Sequence, residues 1–330
     1  RQMCIRDRLK VVGFEAASGD VTATTVGGKA LLSTTLNFTT LGLSVGQWIY
    51  LGTGTFGFDP FNGFCRVKAI AANRLDLDIT PAAFATDAGT GKTVRAYFTD
   101  FIKNGVVQGL SYYIEEEFGI TAGTRYMYHR GQEVNSRVIA AETKSIITDT
   151  WNFMGADATV LSASRQAGAL TAAIPTGTVL NSSTAVPLMY ENGIPVQSPN
   201  FVNSFSLSIE NNKRARDAVA VLGAASIGTG RLNVTGTLST YFGDETLYNK
   251  VINNTISSIT FGLADPAAMR AEIYDIPKVK YASGNPDVTG IDTDIMVALE
   301  FQGLRDLANG RDYTVSLSRL EYYILSLIHI

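Results

Sequence analysis

The chain has 330 residues, more than most single domains contain, so two or three modules are expected. Charged residues make up 17% of the chain, below the usual level of about 25%. The formal net charge is −3, which argues against tight DNA binding because such binding needs clustered lysine and arginine. Two cysteines are too few for a disulfide framework. No apolar run approaches the roughly 20 residues that span a bilayer.

Both ends of the chain resemble translated sequencing-adapter sequence. Residues 325–330 correspond to the codons CTG TCT CTT ATA CAC ATC, a transposase end sequence used in library preparation. Its reverse complement, with the adapter bases before it, accounts for residues 1–8. We therefore expect residues 9–324 to be the native part; the alternative is a genuine basic start and an apolar final strand. Without the two ends the chain keeps one cysteine (Cys65), one histidine (His129) and a net charge of −5.

The first predicted module covers residues 9–98 and contains short strands. Apolar and polar side chains alternate along Gln47–Leu51, Cys65–Ala69 and Leu75–Ile79, which is typical of half-buried β-strands. In the last of these, three apolar residues share one face and two carboxylates share the other. Strands of this length can close a small barrel, so we predict a small N-terminal β-barrel.

Two further β modules are predicted, over residues 99–190 and 191–324. Between their strands, Ala173–Asn200 is rich in proline, serine, threonine, glycine and asparagine, which predicts a linker or long loop. The fold class is therefore mainly β, with tandem sandwich or barrel modules. The principal predicted strands are Lys144–Met154, Phe205–Ile209, Arg231–Phe242, Ile256–Leu263 and Asp294–Phe301.

Only one or two short helices are predicted to flank the strands. One begins with Asp244 as N-cap and continues through Asn254. A shorter one is predicted over Asn212–Leu222, where a glycine follows. The apolar stripe of the first helix is Leu247, Val251 and Ile252.

The second and third modules look like copies of each other. Val134–Ser136 and Val202–Ser204 both read Val-Asn-Ser and open a strand that leads to a later strand. Aligning Gly155 with Gly243 keeps one face of the later strands in phase. We predict a duplication; the alternative is two unrelated strands that end in similar turns.

No group of residues predicts catalysis. Gly89–Thr93 resembles the end of a phosphate-binding loop, but the earlier glycine is missing, so a β-turn is favoured. Glu115–Glu117 could supply paired carboxylates, yet neighbours on a strand point to opposite faces, so a solvated charge run is favoured. His129 has neither a second histidine for zinc nor a nucleophile elbow. We predict a protein that is not an enzyme and has no cofactor and no metal site.

Three stretches resemble the tail tube proteins of long-tailed bacteriophages. They are strand and turn patterns in the expected order, covering most of residues 40–310. They are Val45–Gly52 with Gly63–Lys68 and Leu75–Asp78; Tyr126–Ser136 through Phe153–Gly155; and Ser206–Asn212 with Val234–Leu238 and Tyr241–Asp244.

The resemblance implies a structural subunit whose inner strands pair around a ring, with rings stacked into a hollow tube through which DNA leaves the head. The implied partners are copies of the chain in trimeric or hexameric rings, the tape measure protein, and terminator or tip proteins. DNA would pass without specific binding, and no membrane is involved. The subunit would assemble in the bacterial host cytoplasm and reside in the virion tail. The alternative is a carbohydrate-binding or adhesin-like β-sandwich of a tail tip or bacterial surface.

Two clusters are candidates for contacts between subunits. The first is a glycine-rich loop whose aromatics, if exposed, would form the kind of apolar patch that marks partner surfaces. Its aromatics are Phe56, Phe58, Phe61 and Phe64. The alternative is that this loop folds back onto its own module. The second cluster is basic, and it is either a solvated helix face or a contact between rings. It consists of Lys213, Arg214 and Arg216.

Overall fold

Antiparallel strands dominate the computed structural model of the chain. The proposed adapter-derived ends and Phe56 lie outside the residues that it describes. The described residues are 13–52, 57–58, 61–105, 109–171, 179–265, 267–288, 290–308 and 310–321.

Seven strands of the N-terminal module form one antiparallel sheet in the order β1-β7-β4-β5-β6-β3-β2. The three strands predicted in this module are confirmed as β4, β5 and β6. The strands are β1 (Gly13–Ala16), β2 (Val21–Thr24), β3 (Ala30–Ser33), β4 (Trp48–Leu51), β5 (Gly63–Ala71), β6 (Arg74–Ile79) and β7 (Val94–Tyr97).

The predicted closure of this module into a barrel is wrong, because β1 and β2 are the two ends of an open sheet. A loop satisfies the edge of β2 instead. The backbone N–H groups of Ala23 and Asp87 each donate to the other residue's carbonyl, at 2.8 and 3.0 Å. Since these edge groups already have partners, pairing with β1 is not needed to satisfy them.

A second, larger sheet contains most of the remaining strands, while β16 and β17 form a separate two-stranded side hairpin. One short helix, α1 (Thr246–Ile252), lies between β18 and β19. The strands are β8 (Phe101–Lys103), β9 (Tyr112–Ile120), β10 (Gly123–Glu142), β11 (Thr148–Met154), β12 (Asp157–Ala158), β13 (Leu188–Glu191), β14 (Ile194–Pro195), β15 (Val202–Glu210), β16 (Arg214–Asp217), β17 (Ala224–Gly228), β18 (Asn233–Tyr241), β19 (Ser257–Asp265), β20 (Arg270–Ser283), β21 (Pro286–Asp287), β22 (Met296–Gly303) and β23 (Ser316–Glu321).

The large sheet folds over into two layers around one apolar core. The first layer has the order β11-β10-β15-β18-β22, and the second layer contains β8, β23, β20, β19, β13 and β14. Strand β20 joins the layers, since residues 279–283 pair with β22 and residues 270–275 pair with β23. Phe205 of the first layer meets Phe261 of the second with ring centroids 4.5 Å apart. The two layers therefore form a β-sandwich.

Of the two predicted helices, one is present. In α1, Leu247 is buried and Val251 packs against the core, but Ile252 is exposed. The helix predicted over Asn212–Leu222 is wrong, because this segment forms β16 and the turn that leads into β17. Residues 214–217 instead pair with residues 224–228, so their backbone groups are not available for the hydrogen bonds of a helix.

The first hairpin (β10–β11) and the second hairpin (β15–β18) are equivalent strand by strand. Each has a β-bulge in its Val-Asn-Ser motif. Val134 and Val202 begin the two motifs and are 68 positions apart, as are Ile139 and Leu207, which pair directly with each other. An approximate two-fold axis perpendicular to the sheet, the pseudo-dyad, therefore passes through the Ile139–Leu207 pair.

The predicted alignment of the later strands is wrong by one residue. Ile139 pairs with Asp149 in the first hairpin, and Leu207 pairs with Gly236 in the second. Asp149 is therefore equivalent to Gly236, whereas alignment on the turn glycines would match it to Thr237. Backbone hydrogen bonds set the register of a hairpin, and the glycine in the following turn does not.

The N-terminal module is fixed to the second layer by apolar packing and by buried charges. Trp48 and Ile79 share a core cluster with Ile273 and Leu320. Gly46 permits this approach, because its φ is +89° and a Cβ atom there would lie 2.0 Å from the Tyr313 hydroxyl.

Buried charges cross the same junction. Arg66 of β5 donates from Nη1 to Asp275 of β20 at 2.7 Å, and from Nε to Asp78 at 2.9 Å. Arg311 donates to the same Asp78 carboxylate at 2.6 Å. Asp275 is 0% exposed, and Arg66 of the other sheet is its counter-ion. This pairing matters because an unpaired buried carboxylate is strongly unfavourable.

Candidate assembly surfaces

The face of the first layer that points away from the core is covered with small hydroxyl side chains. Alternate residues of β15, β18 and β22 are buried, and the residues between them occupy the opposite face. We call this opposite surface the hydroxyl face. It comprises Thr148, Thr150, Asn152, Ser136, Val138, Ala140, Glu142, Ser204, Ser206, Ser208, Glu210, Asn233, Thr235, Thr237, Ser239, Tyr241, Met296, Ala298, Glu300 and Gln302.

Charge on the hydroxyl face has one sign. Its positions include the carboxylates of Glu142, Glu210 and Glu300, and none of them is lysine or arginine. Side chains on neighbouring strands form direct contacts, as where the Asn152 amide donates to the Ser136 hydroxyl at 2.9 Å. The hydroxyl face is therefore acidic and lined mostly by small polar side chains. The N-terminal module packs on the second layer, on the other side of the sandwich.

In the first layer, the two lateral edges differ. Strand β22 has β18 on one side, while β20 and β21 pair along its other side. Among the described residues, β11 (residues 148–154) pairs only with β10, so its outer N–H and C=O groups form an open edge. This edge ends where residues 180–182 pair with residues 145–147, just before β11. An open edge of this kind is a template for pairing with another chain.

Strand β11 also carries apolar side chains on its core-facing side. Trp151 is 46% exposed and Phe153 is 41% exposed. Arg137 lies beneath Trp151, with its guanidinium carbon 4.4 Å from the ring centroid, and forms two hydrogen bonds with Asp149. Strand β11 therefore presents an open backbone edge together with incompletely covered aromatics.

A three-stranded arm extends from one end of the first layer. It consists of β9, residues 123–132 of β10, and β12. The residues of β9 are mostly exposed, including Tyr113 and Ile120. The side hairpin β16–β17 lies near the arm, since the backbone N–H of Ala224 donates to the Ala156 carbonyl at 2.8 Å. Both elements project from the same end of the sandwich.

The predicted carboxylate run is on the arm and does not converge. Glu115 accepts from Arg165 at 2.7 Å and from the Gln166 backbone at 3.1 Å. Desolvation alone would raise the pKa of Glu115, but these hydrogen bonds hold that pKa below its usual value. Glu116 lies 3.5 Å from His129. Glu115 and Glu116 therefore contact different partners.

The predicted interface residues have different positions. Phe58 and Phe61 are 0% and 1% exposed and stack on each other inside the N-terminal module. Phe64 packs edge-on against Tyr50 with centroids 4.9 Å apart, near the junction with the second layer. For Phe58 and Phe61 the structure has the arrangement of the alternative, in which the loop folds back onto its own module.

The basic cluster is divided as well. Lys213 is mostly buried and donates to Glu133 at 2.6 Å. Arg214 and Arg216 are exposed on β16 of the side hairpin. The hydroxyl face was missed in the sequence, although its signal is visible in the alternation Ser-Phe-Ser-Leu-Ser of residues 204–208 and Thr-Gly-Thr-Leu-Ser-Thr of residues 235–240.

The described residues offer little for small-molecule chemistry. They contain no cluster of histidine, cysteine, aspartate or glutamate that could hold a metal ion. Two shallow depressions have volumes of about 430 and 370 Å³. The second is lined partly by Arg66, Asp78 and Arg311, whose charges already pair with one another or with Asp275. No helix in the described part is long and apolar enough to cross a membrane.

Comparison with known proteins identifies a family of assembling structural proteins. Residues 13–303 match the family model described as phage tail tube protein. The chain belongs to the phage tail tube protein family. No curated protein matches the chain. The family is a structural one, and the matched range includes the N-terminal sheet, the arm, both hairpins and the whole hydroxyl face, so the surfaces described above are parts of a tail tube protein.

Proposed function

We propose that the chain polymerises into rings that stack into the tail tube, with the hydroxyl face toward the channel and the N-terminal module outside. The hydroxyl face carries the proposal. A wall of small hydroxyls with carboxylates and without lysine or arginine repels phosphate and offers no strong hydrogen-bonding cations to it. DNA can then slide along the wall during ejection.

The pseudo-dyad favours six chains per ring over three. A trimer with pseudo-sixfold symmetry would need its two copies to be related by rotation about the tube axis. The two hairpins are instead related by an axis perpendicular to the sheet, with β10 and β15 antiparallel at its centre. The duplication therefore does not generate repeats around the ring, and each chain acts as one unit.

The width of the channel supports the same number. The hydroxyl face has five strands per chain. Three chains would give a ring about 23 Å across between backbones at about 4.8 Å per strand, before strand tilt. Tilt widens such a ring by roughly a third, which leaves little room for side chains around a duplex about 20 Å wide. Six chains give about 46 Å before tilt, which is ample.

Stacking between rings is assigned to the end of the sandwich that carries the arm and the side hairpin. Exposed Arg214 and Arg216 of the side hairpin would lie at this contact. Head-to-tail contacts of this kind do not close and so generate a filament. The tape measure protein would fill the channel before ejection, and terminator and tip proteins would cap the two ends. The tube would form in the host cytoplasm and remain in the virion tail.

The direct test is assembly of the full chain. We expect size exclusion and negative-stain electron microscopy to reveal rings or tubes with a central channel and sixfold averages. A monomer at high protein concentration that binds glycans would contradict the proposal and support the adhesin-like alternative. Threefold averages would contradict only the number of chains.

The orientation of the hydroxyl face can be tested with a lysine. Thr235 lies directly opposite Ser208 and Gln302, so Thr235→Lys adds a cation with no carboxylate directly opposite it. We expect tubes of this variant to retain DNA at low salt and release it as salt rises, because phosphate contacts release counterions. The control is Val26→Lys, at an exposed position of the N-terminal module. Equal DNA retention by the two variants would place the hydroxyl face outside the channel.

A further inference from the structure

The turn of the side hairpin is apolar and almost uncovered. It joins β16 to β17, and we call its residues 218–222 the hairpin tip. The tip consists of alanine, valine and leucine, and every one of its residues is exposed. Val219 is 99% exposed and Leu222 is 92% exposed. Adjacent apolar side chains that a fold leaves in water mark a surface that another chain covers.

The hairpin tip is held in a defined place beside the arm. The backbone N–H of Ala224 donates to the Ala156 carbonyl at 2.8 Å. Gly223 has a φ of +84°, and a Cβ atom there would lie 2.5 Å from the same carbonyl oxygen. Only glycine permits this approach. The tip is therefore presented by a hydrogen-bonded structure at the arm end of the sandwich.

Unpaired cations lie next to the hairpin tip. Arg214 and Arg216 of β16 are exposed, and neither forms an ion pair with a residue that the structure describes. Asp217 is the single carboxylate in the sequence of residues 214–228. The side hairpin thus combines an apolar tip with a net positive charge.

The opposite end of the sandwich has an exposed aromatic surface. Strand β15 begins just after Phe201 and ends shortly before the side hairpin, so the two surfaces lie at opposite ends of one strand. Phe201 is 55% exposed and Tyr241 is 37% exposed. The backbone N–H of Tyr241 donates to the Phe201 carbonyl at 3.0 Å, which places the two residues side by side.

Carboxylates adjoin these aromatics. The Asn200 amide donates to Asp244 at 2.8 Å, which ties the turn after Tyr241 to the start of β15. Glu245 follows and is exposed. Neither carboxylate forms an ion pair with a described residue. We call Phe201, Tyr241, Asp244 and Glu245 the far-end patch.

Charge at this end is mainly acidic. Exposed Lys144, in the turn before β11, lies at the same end because the neighbouring Thr143 backbone N–H donates to the Asn203 carbonyl at 3.0 Å. Together with the two carboxylates of the far-end patch it still gives a net negative charge. The far-end patch is therefore complementary to the side hairpin in both apolar character and charge.

The proposed ring brings the two surfaces together. Its first-layer strands follow one another around the channel, so their ends face the adjacent rings. The side hairpin lies at one end of β15 and the far-end patch at the other. Head-to-tail stacking therefore directs the hairpin tip of one copy toward the far-end patch of another.

We infer that the hairpin tip of one chain packs on the far-end patch of a copy in the adjacent ring, with its two arginines beside the patch carboxylates. The inference rests on the proposed function and names the surface that receives the side hairpin. The contact is heterologous, since each copy contributes a different end. It repeats without closing and so lengthens the tube.

Polar substitution of the tip tests the apolar part of the contact. We expect Val219→Ser with Leu222→Ser to leave rings intact and to raise the protein concentration needed for stacking into tubes by at least about tenfold, because two apolar side chains lose their burial. Negative-stain electron microscopy and sedimentation separate rings from tubes. The matched control is Val26→Ser, at an exposed position of the N-terminal module, which leaves stacking unchanged. Thermal unfolding of each variant checks that the fold is intact.

Charge reversal tests the polar part. Arg214→Glu with Arg216→Glu, and separately Glu245→Lys, should weaken stacking, because like charges then oppose each other across the contact. Combining all three substitutions in one chain should restore stacking in part, since Asp244 remains acidic. Lys68→Glu reverses an exposed lysine of the N-terminal module and should leave tubes unchanged.

The ring and the stacking contact can fail separately. Wild-type tubes with unchanged stacking of every variant would overturn the inference and leave the proposed function intact. Loss of the rings themselves in the tip variant would also overturn it, because the hairpin would then lie between neighbours within one ring. A wild-type chain that forms no rings would overturn both.

Discussion

The first and second hairpins share their backbone plan but differ in their surroundings. Both have the same register and a bulge in the Val-Asn-Ser motif. The second hairpin lies in the middle of the first layer, and its core side is sealed by Leu238 and Val234. The first hairpin forms the edge, and no residue of β11 is fully buried. One backbone arrangement thus serves as core in one copy and as surface in the other.

This difference separates the side chains that the fold itself covers from those that are left for a neighbouring subunit to cover. At the position of Gly236 the first hairpin has Asp149, which bonds Arg137 at the rim of the sandwich. At the position of Leu238 it has Trp151, a residue type enriched in protein interfaces. The side chains of β11 fit the sandwich but are only partly covered by it, as expected of a surface that a neighbouring subunit covers.

Exchanging the residues at the glycine position gives the largest expected effect. A Cβ atom at Gly236 would lie 2.2 Å from the Ser206 carbonyl and 2.4 Å from the Phe301 ring. Gly236→Asp should therefore destabilise the chain by about 4 kcal/mol or more. The reciprocal Asp149→Gly should cost about 1 kcal/mol, since it removes a partly exposed ion pair. Urea denaturation of the two variants measures the two free-energy losses. Equal losses would show that the two equivalent positions do not differ in burial.

Truncation at the aromatic position comes next. Leu238→Ala should lower the free energy of unfolding by about 3 kcal/mol because it leaves a cavity in the core. Trp151→Ala should cost about 1 kcal/mol, the scale of its stacking on Arg137, while ring formation is lost. Denaturant titration and electron microscopy separate the two effects. A Trp151→Ala chain that is as unstable as Leu238→Ala would make β11 part of the core.

The smallest effect concerns the turn that follows the second hairpin. Hydrogen bonds from Asn200 and the Thr246 backbone hold the pKa of Asp244 below its usual 3.8. The bound carboxylate therefore contributes stability that is present above pH 3.8 and is lost as pH falls through the lower folded pKa. Asp244→Asn should flatten the loss of stability with acid below about pH 4, as followed by urea midpoints. An acid profile of Asp244→Asn that matches the wild type would contradict this role of the carboxylate.

Much of the fold could be predicted from local patterns. The alternation in Leu75–Ile79 and in residues 296–301 places strands and their buried faces correctly, because period two is a property of the strand itself. Contacts that local periodicity does not reveal account for the errors. Residues 212–222 have a helix-like composition, but residues 214–217 pair with residues 224–228. Arg66 interrupts the alternation of β5, because its partner Asp275 lies 209 residues later.

The candidate surface was only partly accessible to sequence reasoning. Counting hydroxyl residues at every second position would have found the hydroxyl face. The burial of Phe58 and Phe61 could not be read from glycine-rich surroundings, since that composition suits both an exposed and a folded-back loop. Nor could the exposure of β11 be predicted, because it depends on which strand of a duplicated pair receives β22 as a neighbour.

The charge cluster between the two sheets has a mechanical consequence. A slide of one residue would separate Arg66 from Asp275 and leave a carboxylate with 0% exposure without its counter-ion. The buried ion pair therefore fixes the N-terminal module in one position relative to the sandwich. Because the two sheets cannot move independently, bending of the sandwich must deform both of them, and this makes each subunit stiffer.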